Sequence, residues 1–144
     1  MSVQENIQSA KDYYAYFNAR DMDGINAQHA EDMQLVYSPG QAGPLNEQQS
    51  EMMTRGLWAA FPDLQFEITL QVAQGDYVVT HWTATGTHAG PLALPSGQAV
   101  EPTGKELTMQ GCTTMEIVDG KHKRAWNQYD QVALLGQLGL LPGL

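Results

Sequence analysis

The sequence predicts an α+β fold, and three observations carry that prediction. Apolar residues in the first sixty or so positions recur at the three- and four-residue steps of a helix face. From residue 65 to 130 the pattern changes to alternation, the period of a half-buried strand. Between two of the alternating runs stands Asp119-Gly120, the signal of a tight hairpin turn. Helices first and antiparallel strands later is the α+β arrangement, in which a sheet curls over the helices and leaves a cavity between them.

The elements follow in order. Ser2 and Glu5 have the spacing of a capping box, and Val3, Ile7, Ala10, Tyr14 and Phe17 then share a helical face. Asp21 caps a second helix over about residues 22–30, with Met22 and Ile25 inward. The run MQLVYSPG is a short strand stopped by Pro39-Gly40. Asn46 and Gln49 repeat the capping-box spacing and open a third helix to Ala60. Its stripe is Met53, Leu57 and Ala60, with Trp58 beside it, and Pro62 ends it. QFEITLQV, YVVTHWTATG, KELTMQGCTTMEIV and KHKRAWNQYD are strands, the first two joined at Gly75-Asp76. Val132, Leu135 and Leu138 mark a short amphipathic helix, with Gly139 past its end and Pro142 as its stop. Residues 87–105, with three prolines, are too long for a hairpin turn. They form either a flap over one end of the sheet or a surface loop.

Composition narrows the function. The chain has 144 residues, a size for one domain, and 42% apolar residues, enough for a core. A net charge of -9 and a pI near 4.6 argue against nucleic acid, which needs clustered Lys and Arg, and against anionic membranes. They leave a neutral small molecule open. Cys112 is the sole cysteine, so no intrachain disulfide forms. No basic region followed by an apolar run opens the chain, and no stretch approaches the ~20 apolar residues of a membrane span. The expected location is the cytoplasm, with export by other bacterial routes left open.

Strand alternation sorts the faces. Val78, Thr80, Trp82 and Ala84 point inward, as do Leu107, Met109, Gly111, Thr113, Met115 and Ile117. On the last strand the charges of Arg124 and Asp130 turn Ala125, Asn127 and Tyr129 inward and Trp126 outward. An outward Trp calls for cover, from a second copy of the sheet (a homodimer) or from a terminal segment. The expected pocket is apolar and aromatic: Tyr14, Tyr37, Trp58, Trp82, Met109 and Tyr129, with Thr113 and Asn127 as polar groups. His88 opens the flap and is placed to swing over the mouth, and His29, at the end of the second helix, to reach the floor. The competing reading is that these side chains simply fill the core. His81 is expected outside and His122, just after the hairpin turn, exposed.

The segments AAFPDLQFEI, GDYVVTHWTATGTHAG, PTGKELTMQG, VDGKHKRAW and LLGQLGLLP, in this order and spacing, resemble the SnoaL-like polyketide cyclases of the nuclear-transport-factor-two superfamily. The resemblance covers nearly the whole chain. It implies a cone-shaped α+β barrel, a curved, mostly antiparallel sheet around about three helices. It also implies ring closure by intramolecular aldol condensation without metal or cofactor. In that family an aspartate after the last strand's Trp is the acid-base, helped by a histidine on the neighbouring strand. Those positions are Asn127 and Thr113 here, and both have been replaced; Asp130, another acid of the Trp-centred motif, is kept.

An amide takes no proton at neutral pH, nor does a threonine replace an imidazole. Both can still hold a carbonyl, leaving Tyr14, Tyr129 or His29 to handle the proton. No His-x-x-x-His or similar ligand spacing suggests a metal, and no His is placed to activate Cys112. An epoxide-hydrolase-like Arg-x-Asp is missing, and an isomerase-like aspartate base cannot be found. Two functions remain: a cofactor-independent cyclase or isomerase acting on a carbonyl-bearing small molecule, or a non-catalytic protein that binds an apolar or aromatic ligand.

Overall fold

A computed structural model describes residues 2–94 and 97–141. The helices are α1 (Val3–Asn18), α2 (Met22–Gln28), α3 (Glu47–Ala60) and α4 (Gln131–Gln137). The long strands are β1 (His29–Tyr37), β2 (Gln65–Gln74), β3 (Tyr77–Thr87), β6 (Glu106–Val118) and β7 (Lys121–Tyr129), and β4 (Leu92–Ala93) pairs with β5 (Ala99–Val100). The main sheet runs β1-β7-β6-β3-β2, with only the β1–β7 pair parallel. This is the expected α+β architecture: a curved, mostly antiparallel sheet, open at its edges, over helices.

Local chemistry explains the boundaries. Both expected capping boxes form: Ser2 with Glu5 opens α1, and Asn46 with Gln49 opens α3. Each satisfies backbone amides that the first helical turn leaves free. Asp21 caps α2 through the Gly24 amide. The second helix stops at Gln28, because His29 already extends to pair with His122 in the parallel ladder. Thus β1 begins earlier than the MQLVYSPG run indicated. Gly139, with φ 74°, follows α4 in the left-handed conformation. The expected stop at Pro142 lies outside the described residues. On α4, Val132 turns out to be 58% exposed, and Leu134 and Leu138 face the core instead.

The core lies between the concave sheet face and the helices. Ala10, Tyr14 and Phe17 of α1 meet Val78, Trp82 and Ala84 of β3 and Leu107, Met109, Met115 and Ile117 of β6. Strand parity therefore holds along β3 and β6. It fails at two bulges. Between Glu116 and Ile117 the β6–β7 register shifts, so His122 sits opposite Ile117 and is buried, not exposed. Between Leu35 and Tyr37 the β1–β7 register shifts again, leaving Tyr37 43% exposed and Ser38 buried. An inserted residue reverses every side chain beyond it.

Residues 87–90 fold back over the α3 terminus. The His88 amide donates to Lys105 O and the Gly104 amide to His88 O, closing the base of the segment. Ala89 N and Gly90 N both donate to Ala60 O, satisfying a carbonyl that the end of α3 leaves open. Gly90 is required there: a Cβ would lie 1.9 Å from the Ala59 carbonyl oxygen.

Candidate functional site

A cavity of about 300 Å³ opens between α1, α3, α4 and the concave sheet face. Its walls are rings. Phe66 is central, with ring centroids 4.9 Å from Phe17, 4.8 Å from Trp82 and 5.7 Å from Tyr14. Leu92, Ala93 and Leu94 of the flap and Leu134 and Leu135 of α4 complete the lining. A smaller apolar recess of about 80 Å³ adjoins it, lined by Ala84, Leu107 and Met109.

The polar wall begins with a glycine. Gly111 stands opposite both Trp82 and Tyr129 in the sheet. A Cβ at Gly111 would meet the Trp82 ring at 2.5 Å, so its absence lets the indole lie flat across β6. There Trp82 Nε1 donates to Thr113 Oγ1 at 3.0 Å, and Thr113 Oγ1 donates to Asn127 Oδ1 at 2.9 Å. Thr113 and Asn127 are direct partners on neighbouring strands, both facing the cavity. The Tyr14 hydroxyl is buried beside Thr113 without closing a hydrogen bond. Burial raises the Tyr14 phenol pKa strongly and that of Tyr13 to about 12; it also raises Tyr129, where the neighbouring Ser38 hydroxyl pulls the other way. All three stay protonated near neutrality.

Of the residues singled out by sequence, Tyr14, Trp82, Thr113, Asn127 and Tyr129 converge on the cavity, and Met109 lines the recess. Five do not converge. Tyr37 is turned out by the β1 bulge. Trp58 packs toward the end of α1, edge-on to Phe17 and beneath the Arg20 guanidinium at 5.6 Å. His88 is fully buried in the flap base, its Nδ1 accepting from the Thr103 amide and its ring against Phe61, so it does not swing over the mouth. His29 caps the end of α2 as expected and also opens β1, but it is tied to Glu47 at 2.9 Å away from the cavity. Burial lowers its pKa against the pull of Glu47. Asp130 is exposed and caps α4, accepting from the Ala133 amide. Ser38, Thr54 and Phe66 line the cavity and were not anticipated. A bulge hides Ser38, while Thr54 precedes Leu57 by three residues on the α3 stripe and carried a readable helical signal.

Thr113 and Asn127 thus face each other across one rung of the sheet, inside the cavity. The SnoaL-like polyketide cyclase family profile matches residues 8–138. The chain belongs to this family. Its fold is shared with AclR, a candidate hydroxylase from Streptomyces galilaeus, at 28% identity and a TM-score of 0.85, over 98% of this chain and 100% of that one. IdmH, a candidate polyketide cyclase from Streptomyces antibioticus, matches at 27% identity and a TM-score of 0.80, over 93% and 98%. A candidate SnoaL-like cyclase from Jannaschia sp. CCS1, at 17% identity and a TM-score of 0.83 over 96% and 94%, shares the fold. No curated protein matches. As a SnoaL-like protein the chain carries a neutral hydrogen-bonding wall where the family resemblance implies an ionisable pair. Among the described residues no three His, Cys, Asp or Glu side chains converge to hold a metal, and no helix is long and apolar enough to cross a membrane.

Proposed function

We propose that this SnoaL-like chain is a cofactor-independent cyclase or isomerase for a carbonyl-bearing, polyketide-like small molecule. The observation that carries the reading is the ring-lined cavity whose polar wall, Tyr14, Thr113 and Asn127, is uncharged. Intramolecular aldol closure removes a proton from carbon, joins that carbon to a carbonyl carbon, and turns the carbonyl oxygen into a hydroxyl. The wall supplies donors to the oxygen that gains charge. It supplies no acceptor for the carbon's proton, since the phenols are held protonated and His29 and Asp130 lie elsewhere. The substrate is therefore one acidic enough to arrive partly as its enolate, as a β-dicarbonyl methylene is.

The same absence of a base favours a second reading, a protein that binds such molecules without converting them. Incubation with aryl β-dicarbonyl compounds separates the two. Cyclised product at a rate above buffer supports the enzyme, and a raised melting temperature without product supports the binder. Neither effect across the series would defeat both. Asn127→Asp restores an ionisable group in an apolar cavity, where burial raises its pKa. The variant is expected to convert substrate faster as pH rises through that pKa. A flat pH profile would count against the assignment.

We also propose that two copies pair through the convex sheet face. One rung there runs Val72, Val79, Thr114, Trp126 and Tyr37. Val72 is 53% exposed and Leu70, nearby, also 53%. Trp126 is partly buried, with the Arg124 guanidinium 5.5 Å from its ring.

A further inference from the structure

The hydrogen bonds from Trp82 through Thr113 to Asn127 have one direction. An indole nitrogen donates and cannot accept. Thr113 Oγ1 therefore accepts the first bond and sends its single proton onward to Asn127 Oδ1. That choice decides which end of the amide the cavity meets. With Oδ1 held by Thr113, Nδ2 is left to the cavity, and no hydrogen bond to it forms among the described residues. The Tyr14 hydroxyl, on the same wall, is buried beside Thr113 without closing a hydrogen bond. A buried donor without a partner is rare in folded proteins, and one beside an amide nitrogen left open to the cavity points to a guest that accepts from both.

We propose that Trp82 and Thr113 are positioning residues that lock the Asn127 amide nitrogen toward the cavity, where it and the Tyr14 hydroxyl form a two-donor cradle for the carbonyl oxygen of a flat polycyclic ketone. The rings of Phe66, Trp82 and Tyr129 supply the surfaces against which such a frame stacks. The opposite arrangement has the amide turned over, Thr113 accepting from both neighbours, and its proton passed to Tyr14. That arrangement would show the cavity an acceptor and prefer a guest that donates. The proposal rests on the cavity being the ligand site, and the test separates the two claims.

Three tricyclic probes of nearly one shape differ at a single position: 9-fluorenone carries C=O, fluorene CH₂ and carbazole N–H. Dissociation constants for each come from equilibrium dialysis. Fluorenone is expected to bind about tenfold tighter than fluorene, with carbazole weakest. The carbonyl stretch of bound fluorenone is expected to fall below its value in hydrocarbon. Thr113→Val keeps the shape and removes the relay. It should reduce the preference for fluorenone over fluorene, both measured on the variant, to about twofold and shrink the shift of the stretch. Tyr14→Phe should remove part of the preference and carries the test if Thr113→Val fails to fold. Carbazole binding as tightly as fluorenone, or a full ketone preference in either folded variant, overturns the cradle while leaving the cavity a ligand site. Failure of all three probes to bind overturns both.

Discussion

His122 shows how much one side chain can reveal about acid sensitivity. Its Nε2 lies 2.8 Å from Ser9 Oγ, and burial pushes its pKa down to about 4, with the nearby charges of His29 and Lys121 acting in the same direction. An unfolded histidine titrates near 6.5, so between that value and 4 the unfolded chain binds a proton that the native one refuses. Stability is then full above pH 6.5, falls as pH drops through this window, and has lost the whole contribution below 4. From pH 7.5 to 5 the loss expected from this residue is about 2 kcal/mol. Urea melts of the parent and of His122→Gln should show it: the variant's loss over that interval should be smaller by about that amount. Glu116 does not mask the effect. Its Arg124 partner holds its carboxyl near 2, so it stays charged in the native state throughout.

The same residue marks where sequence reasoning stopped. Parity placed Trp82, Thr113, Asn127 and Tyr129 on the concave face because β3 and β6 pair without interruption along that stretch. His122, expected exposed from its place after a hairpin turn, and Tyr37, expected in the pocket, were misplaced, and Ser38 was missed, because each lies at or beyond a bulge. A bulge is one extra residue in a ladder, and nothing in the local composition of KHKRAW or LVYSPG announces it. Candidate proton-transfer roles met a different limit. His29 and Asp130 are the right residue types for proton transfer, but an ion pair and a helix cap already occupy them.

At the level of elements, α4 is the weakest wall of the cavity. It is seven residues long, too short to hold its shape alone. Asp130 accepts from the Ala133 amide at its start, and Gln137 reaches back to Thr108, donating from Nε2 to its carbonyl and accepting from its amide through Oε1. Loss of the cap through Asp130→Ala is expected to cost about 1 kcal/mol in urea unfolding. Because Leu134 and Leu135 line the cavity, ligand affinity should fall with it. Asp130→Asn, which still caps, should restore both. A proton-transfer role for Asp130 would instead leave Asn as damaging as Ala. The sequence made α4 legible through its apolar spacing, yet its inward stripe is Leu134 and Leu138 and not Val132, since Asp130 sets the helix start and with it the rotation of every later side chain.

For the whole molecule, the sheet separates two jobs. Its concave face holds the ring-lined cavity, and its convex face the apolar rung ending in Trp126 and Tyr37. If two copies pair through the latter, Val72→Glu should place a charge in the contact and shift the sedimenting species from dimer to monomer at micromolar concentration. The thermal shift given by cavity ligands should survive, because Val72 points away from the cavity. A parent protein that sediments as a monomer would remove the pairing proposal. The order of the helices and of the five long strands was legible because each is set by a local period or a cap, while the short β4–β5 pair within the flap was not. The joining of the two faces into one curved sheet was legible only in outline, since it depends on the parallel β1–β7 pairing, a contact between distant segments.

The root of the flap has a mechanical meaning. With Gly90 seated against the Ala59 carbonyl and two amides donating to Ala60 O, residues 88–90 are anchored to the end of α3. A side chain at position 90 would have to push the α3 backbone aside, and α3 carries Thr54 and Leu57 of the cavity wall.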